Sequence, residues 1–465
     1  MAPRGTSSLS AHGRAKRPKK GARESSTPIA PLYKRLPHGP HRMDRNQVVL
    51  HQRRRIHGAL IEAIAENGYE DTSIKQIVGL AGVSRRAFYE QFANKEECFL
   101  ATFDLIVRRD LKLIKQVYLA SDGPLEERAR AVFQRFAKST AEEPNATTLV
   151  VVEAQRAGRA GAMRLRRATG ACEQMLAHSF AQAPDSKALP MPIIRGIAGG
   201  LHGTAASFLS EEHRTRVDLA EELLNWTLLF QTPDADLLSE RMAARLSTRM
   251  REISATYGHG LGGAEPPPRD ERARLLQGIL RLVTREELLN LSAPQIAEEA
   301  NVPVEVFCEL FDGKDGKERC FLEALENISD QLLEITADPE LVGGDWPRAV
   351  RRVLGELMRY LAEHPLHART LAQEAFFSGT HALERTVELS SAIATLLTEG
   401  APNKSQGALT ADAVAGAIWH TIRCQASAGR IQLLAALSDH LAYVVLAPFI
   451  GAHAAVEIVT EDSPR

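Results

Sequence analysis

The sequence repeats itself once over most of its length. Ile56, Ala59, Leu60, Ala63 and Ile64 form an apolar stripe at the spacing of one helix face. Adding 219 to each number gives Leu275, Gly278, Ile279, Leu282 and Val283, a second stripe of the same period. Ser73, Gln76, Ile77, Ala81, Val83, Phe88 and Phe92 map at that offset onto Ser292, Gln295, Ile296, Ala300, Val302, Phe307 and Phe311. After a three-residue insertion, KEECFL at 95–100 meets KERCFL at 317–322. Pro144, Glu153, Ala154 and Gly158 then meet Pro365, Glu374, Ala375 and Gly379, while Ala198 and Gly199 meet Ala415 and Gly416. Order kept over such a distance predicts a tandem duplication of one unit, not a short-period solenoid. Helical periodicity with only 5% aromatics predicts an all-α fold.

Charge and punctuation divide the chain. Residues 1–55 hold 14 Lys and Arg against 2 acidic residues, while the whole chain has a net charge of -1. The body is therefore acidic and the N-terminus strongly basic, which suits an arm for nucleic acid or another anionic surface. A solubilising leader is the other reading of the same charges. Residues 1–45 lack any period and are expected to be a disordered basic tail; Met43 is an alternative start. KRPKK at 16–20 is a weak signal for a minor-groove arm. The expected organisation is a helix-turn-helix domain at 46–100 and a helical core at 101–250. A Gly/Pro linker at 251–270, a second helix-turn-helix-like domain at 271–325 and a second core at 326–460 follow.

Several chemistries find no support. Five scattered cysteines form no CxxC pair, and Cys98 and Cys320 sit at equivalent apolar positions, as core residues would. Nucleophile elbow, phosphate loop and HExxH are all missing, so neither an enzyme nor a cofactor is expected. Gly258, Gly260 and Gly263 spell GxGxxG, but PPP follows and no strand precedes. His364 and His367 are separated by Pro365 and have no further ligand nearby, so no metal is expected. The apolar stretch Leu441 to Val459 contains Pro448, His453 and Glu457 and reads as a buried helix end, with no membrane partner. No secretory signal is visible, and the cytoplasm is the expected compartment.

The chemistry concentrates at 67–95. Asn67-Gly68 is a helix stop. Ser73 opens SIKQ, a capping box, and predicts a short helix from Ile74 to about Leu80. Ala81-Gly82-Val83 supplies a tight turn, and Ser84 caps a third helix, RRAFYEQF. Ala87, Phe88 and Phe92 would face inward; Arg85, Arg86, Tyr89 and Gln91 would face out. Short helix, glycine turn, capped basic helix is the helix-turn-helix pattern. The helix N-terminus suits a phosphate, and Arg85 and Arg86 are long enough to reach guanine edges.

The run TSIKQIVGLAGVSRRAFYEQFANKEECF, residues 72–99, resembles the DNA-binding signature of the TetR-type transcriptional regulators. The resemblance implies a dimeric repressor, released by a small-molecule effector that binds its C-terminal helices. It implies phosphate contacts from Tyr89 and Lys95, and further contacts to double-stranded DNA from Ser73, Lys75, Ser84 and Gln91. Ala87 stands where the family often has Thr, so one polar contact is absent. In the second unit Pro303 replaces Ser84, Val304 and Glu305 replace Arg85 and Arg86, and Cys308 replaces Tyr89. That unit keeps its apolar positions and loses the partners of phosphate and base. GIAGGLHGTAASFL (196–209) with ELLNWTLLF (222–230), and AGAIWHTIRCQASAG (415–429) with HLAYVVLAPF (440–449), form two hairpins suited to a four-helix bundle. Family members make that bundle between two chains; here one chain holds both hairpins, which allows an intramolecular pseudo-dimer or a homodimer. The rival reading is a helical ligand-binding or protein-interaction module with a vestigial helix-turn-helix.

Overall fold

The computed structural model describes residues 45–121, 123–182, 188–209, 217–257, 268–402 and 410–461. Residues 1–44 of the tail expected at 1–45, the alternative start at Met43, and the GxGxxG run with the centre of the linker lie outside the described residues. The first half contains α1 (Arg45–Asp71), α2 (Ile74–Ala81), α3 (Arg85–Tyr89), α4 (Lys95–Ala120), α5 (Leu125–Glu142) and α6 (Pro144–Thr148). A π turn at Leu149–Glu153 leads into α7 (Ala154–Arg156), α8 (Gly158–Gln182), α9 (Met191–Phe208), α10 (Leu219–Leu228) and α11 (Ala235–Tyr257). The second half contains α12 (Glu271–Val283), α13 (Ala293–Ala300), α14 (Val304–Leu310), α15 (Gly316–Thr336), α16 (Glu340–Gly343), α17 (Trp346–Glu363) and α18 (Pro365–Ala372). After a 3-10 turn at Glu374–Phe377 come α19 (Thr380–Glu399), α20 (Thr410–Ser427), α21 (Ser438–Ile450) and α22 (Ala452–Thr460). No strand occurs among the described residues, so the fold is all-α.

Four boundaries differ from the sequence expectation. Helices α4 and α15 run straight across residues 100 and 325, so each three-helix domain shares a continuous helix with the core that follows. Helix α11 continues to Tyr257, where a linker is expected from 251, because MREISATY contains no breaker before Gly258. RRAFYEQF is not one helix: α3 ends at Tyr89, and Gln91 N–H bonds Phe88 O at 2.9 Å in a tightened turn. That turn lets Phe92 bury beside Phe88 (ring centres 5.7 Å apart) and frees Asn94 to cap α4 through the Glu97 amide.

Local devices that hold the first three-helix domain recur in the second. Arg55 donates to Gly82 O at 2.8 Å, and Arg274 donates to Asn301 O at 3.0 Å. Arg53 lies 4.7 Å from the centre of the Phe92 ring, and Arg272 lies 5.3 Å from that of Phe311. The turn residue in each case is left-handed: Gly82 at φ 59° and Asn301 at φ 52°. Asparagine is one of the few side chains that tolerates this conformation.

The halves meet through α9, α10, α20 and α21. Helices α9 and α20 approach until backbone touches backbone. A Cβ on Gly199 would stand 2.6 Å from Gly416 O, and one on Gly203 would stand 2.4 Å from Asp412 O. Only glycine fits there. Beside this contact Tyr443 on α21 donates to Phe230 O, just past α10, at 3.1 Å. The segment Ile431–Ile450 is long and apolar enough to cross a membrane, but most of it is buried inside the protein, as in a core helix. Leu441–Phe449 are all buried, as that part of the stretch to Val459 is expected to be; beyond the break at Gly451 the stretch continues as α22, where His453 and Glu457 are exposed.

Candidate nucleic-acid interface

The scaffold of the site is a small apolar core. Ile56, Leu60 and Ile64 of α1 pack on Ile77 of α2, Phe88 of α3, Phe92, and Phe99 and Phe103 of α4. The break in α1 at Gly68 (φ 76°) turns the chain toward α2. Thr72, fully enclosed, donates to Gly68 O at 2.6 Å and fixes that turn. Ser73 then caps α2: its amide donates to Gln76 Oε1 at 2.7 Å, and the Gln76 amide donates to Ser73 Oγ at 3.3 Å. Ser84 caps α3, its Oγ accepting from the Ala87 amide at 3.1 Å. A side-chain cap of this kind stabilises a helix start by ~1 kcal/mol.

With Phe88 held inward, Arg85, Arg86 and Tyr89 stand in solvent, Tyr89 with 54% of its surface exposed. Arg85 and Tyr89 are four apart and so share one face of α3. Arg85 has no side-chain hydrogen bond or ion pair among the described residues. Arg86 pairs with Glu90 at 2.9 Å, but both groups are solvated, and such a pair is weak. A guanidinium there is free to exchange Glu90 for a base edge. Lys75 is exposed on α2, and Ser73 and Ser84 are exposed caps whose oxygens already serve backbone amides.

Two expected contacts are directed elsewhere. Gln91 does not face out: it is half-buried, and its Nε2 donates to Ala87 O at 3.3 Å. The turn after Tyr89 rolls it back against α3. Lys95 is half-buried and turns its ammonium onto the end of α1. Its Nζ donates to Tyr69 O at 2.7 Å and Glu70 O at 3.1 Å, and lies 4.4 Å from the centre of the Tyr69 ring. Lys317, its counterpart, does the same with Leu289 O at 2.7 Å and Leu291 O at 3.1 Å. Lys317 makes this contact beside α14, which carries neither Arg nor Tyr, so the contact has a structural role that needs no DNA. Lys95→Met and Lys317→Met should therefore each lower thermal stability, by about 1–2 kcal/mol, and neither should flatten the salt dependence of DNA binding. A salt slope reduced by about one in Lys95→Met alone would restore Lys95 as a phosphate contact.

The repeat marks Glu153 by its match to Glu374 but does not say what it binds. Glu153 lies 84 residues from Tyr69, yet its Oε2 accepts the Tyr69 amide at 2.8 Å, and Arg156 pairs with its other oxygen at 3.0 Å. Through this buried carboxylate the π turn grips the end of α1. Arg55 is also missed, although the run Arg53-Arg54-Arg55 on a helix with an inward face is the signal for it.

Acid should loosen this domain. His57 is buried, and burial, with Arg53 nearby, pulls its imidazole down to about 4. Thr102 Oγ1 donates to Cys98 O at 2.7 Å, so the contact with His57 Nδ1 at 2.7 Å has the imidazole as donor. The folded state thus binds fewer protons than the unfolded one between about pH 4 and 6.5. The stabilisation is present above pH 6.5 and lost as pH falls toward 4, by about 3 kcal/mol in total. Melting temperature measured across that window should drop, and His57→Gln should flatten the drop.

The geometry defines a class: a helix-turn-helix domain whose third helix presents a basic, aromatic-flanked face for duplex DNA. Residues 56–102 match the family model of the bacterial regulatory proteins of the tetR family. The match covers α1 from Ile56 to the first turns of α4, which is the domain just described. It supports a DNA-binding transcriptional regulator. No curated protein matches the chain.

Proposed function

We propose that this chain is a ligand-responsive transcriptional repressor of bacterial type, working in the cytoplasm without enzymatic activity, that reads operator DNA through α3. The observation that carries the reading is the complete capped helix-turn-helix with Arg85, Arg86 and Tyr89 exposed over a closed Phe88–Phe92 core. We further propose a tandem duplication whose halves pair as an internal pseudo-dimer. The recurrence of the Arg55, Arg53 and Lys95 contacts at Arg274, Arg272 and Lys317 supports duplication. The glycine contact of α9 with α20 supports internal pairing. Responsiveness to an effector draws support from an apolar cavity of about 230 Å³ in the first core, lined by Ile106, Ile114, Tyr118, Phe133, Leu176 and Leu223.

In the second unit Glu305 and Cys308 are exposed where Arg86 and Tyr89 stand in the first. Glu305 would repel phosphate, and Pro303 gives α14 no side-chain cap. A single chain then holds one competent recognition helix. Light scattering of the free protein should return a monomer, and footprinting on its own upstream DNA should protect one asymmetric half-site per chain. An obligate dimer spanning a palindrome, with both helix-turn-helix units of each chain on DNA, would refute internal pairing. No protected site at low salt would leave the ligand-binding or protein-interaction module as the better reading.

A further inference from the structure

A cleft of about 450 Å³ opens between the two halves, with α7, α8 and α9 on one side and α18, the 374–377 turn and α20 on the other. Its charge is unbalanced. Five arginines line it, Arg159, Arg166, Arg167, Arg369 and Arg423, against the one carboxylate of Glu374. Arg159 takes Glu374 at 2.9 Å, and Arg166 takes Glu173 at 2.8 Å. Arg167, Arg369 and Arg423 form no salt bridge with any described residue.

Arg423 is the telling one. It is half-buried, rests 5.7 Å from the centre of the Phe376 ring, and is held by burial at about 10. His202 beside it is driven down to about 3 by burial and by the Arg423 charge, so it adds a neutral imidazole to the wall. A guanidinium withdrawn from water without a carboxylate is unfavourable unless another anion approaches it. Met163, Leu165, Ala372 and Phe376 add an apolar patch to the lining, beside the neutral polar groups of Gln155, Thr169, Gln373 and Ser427.

The same region gathers Glu173, His420 and Cys424, with His420 Nε2 at 3.0 Å from Glu173 Oε1 and 3.4 Å from Cys424 Sγ. That spacing resembles a set of metal ligands. The surroundings oppose a cation. Arg166 occupies the same Glu173 oxygen at 2.8 Å, Arg195 approaches the other at 3.5 Å, and burial pushes the Cys424 thiol up. The electrostatics of the cleft select an anion.

We propose that this cleft binds a small organic anion, a carboxylate or a phosphate ester with a short apolar body. The anionic group pairs with Arg423 and the body lies against Phe376. The inference gives the ligand-responsive reading a ligand class, and the site is distinct from the apolar cavity of the first core. The position suits a response. Gln155 and Arg159 line the cleft just beyond Glu153, which grips the end of α1, and Arg159 also donates to Val283 O at the end of α12 at 3.2 Å.

Titration calorimetry of the full chain with phenyl phosphate tests this without DNA, so the result is independent of whether the protein is a repressor. Saturable binding of one equivalent per chain is expected, with phenol not binding. Arg423→Met should weaken it tenfold or more, and Arg423→Lys should recover part of the loss. Arg369 is exposed, so Arg369→Ala should fold normally and still weaken binding several-fold. Absence of saturable binding, binding of phenol as tightly as phenyl phosphate, or unchanged affinity in Arg369→Ala together with a folded Arg423→Met would overturn the proposal.

Discussion

Replacing Arg85 and Arg86 together by alanine should abolish operator recognition while leaving the protein folded. Neither side chain supports the core: both are exposed, and Glu90, which pairs with Arg86, is itself solvated. The capping oxygen of Ser84 and the Phe88–Phe92 packing do not depend on them. A bidentate guanidinium–guanine contact discriminates by about 1–3 kcal/mol, so the pair could cost up to about 6 kcal/mol if the effects add. Competition mobility shifts should show the specific complex lost and a weaker, salt-sensitive background kept. Tyr89→Phe is the graded companion: it keeps the ring on Phe88 and removes the hydroxyl, so it should weaken all sequences alike. Unchanged operator affinity in the double variant would remove α3 as the reading element and with it the proposed function.

A feature of this fold is legible in the sequence to the degree that its cause is local. The caps at Ser73 and Ser84, the turn at Gly82 and the inward Phe88 and Phe92 are dictated by neighbours within a few residues, and the structure has them as the sequence implies. Gln91 and Lys95 escape such reasoning because their partners depend on the turn after Tyr89 and on where α1 ends. Periodicity alone cannot fix either. The bond of Glu153 to Tyr69 and the Arg423 cleft are further beyond reach, because they join segments 84 residues apart in one case and the two halves of the chain in the other. The repeat pattern marks Gly199 and Gly416 as equivalent positions in the two halves. It does not reveal that those two glycines touch, which is a property of helix crossing, not of sequence spacing.

Gly416→Val should be the most damaging substitution in the interior. A Cβ at Gly416 would lie 2.4 Å from Gly199 O and 3.0 Å from Gly203 Cα, both backbone atoms that no rotamer change can move aside. The helices would have to separate, and separation would open the contacts that accompany theirs, Gly196 with Val444 and Tyr443 with Phe230. Overpacking commonly costs 1–3 kcal/mol where side chains can yield, so a loss of about 3 kcal/mol or more is expected here. Gly355 supplies the internal control. It sits within α17, and a Cβ there would meet nothing within 4 Å. Gly355→Ala should raise stability by about 0.5–1 kcal/mol through the ordinary helix preference for alanine. Opposite signs for two glycines in two helices, read by thermal denaturation, would locate the cost in the α9–α20 crossing and not in glycine chemistry. If Gly416→Val melted like the parent, the two halves would not be held together by this contact, and the case for an internal pseudo-dimer would fail with it.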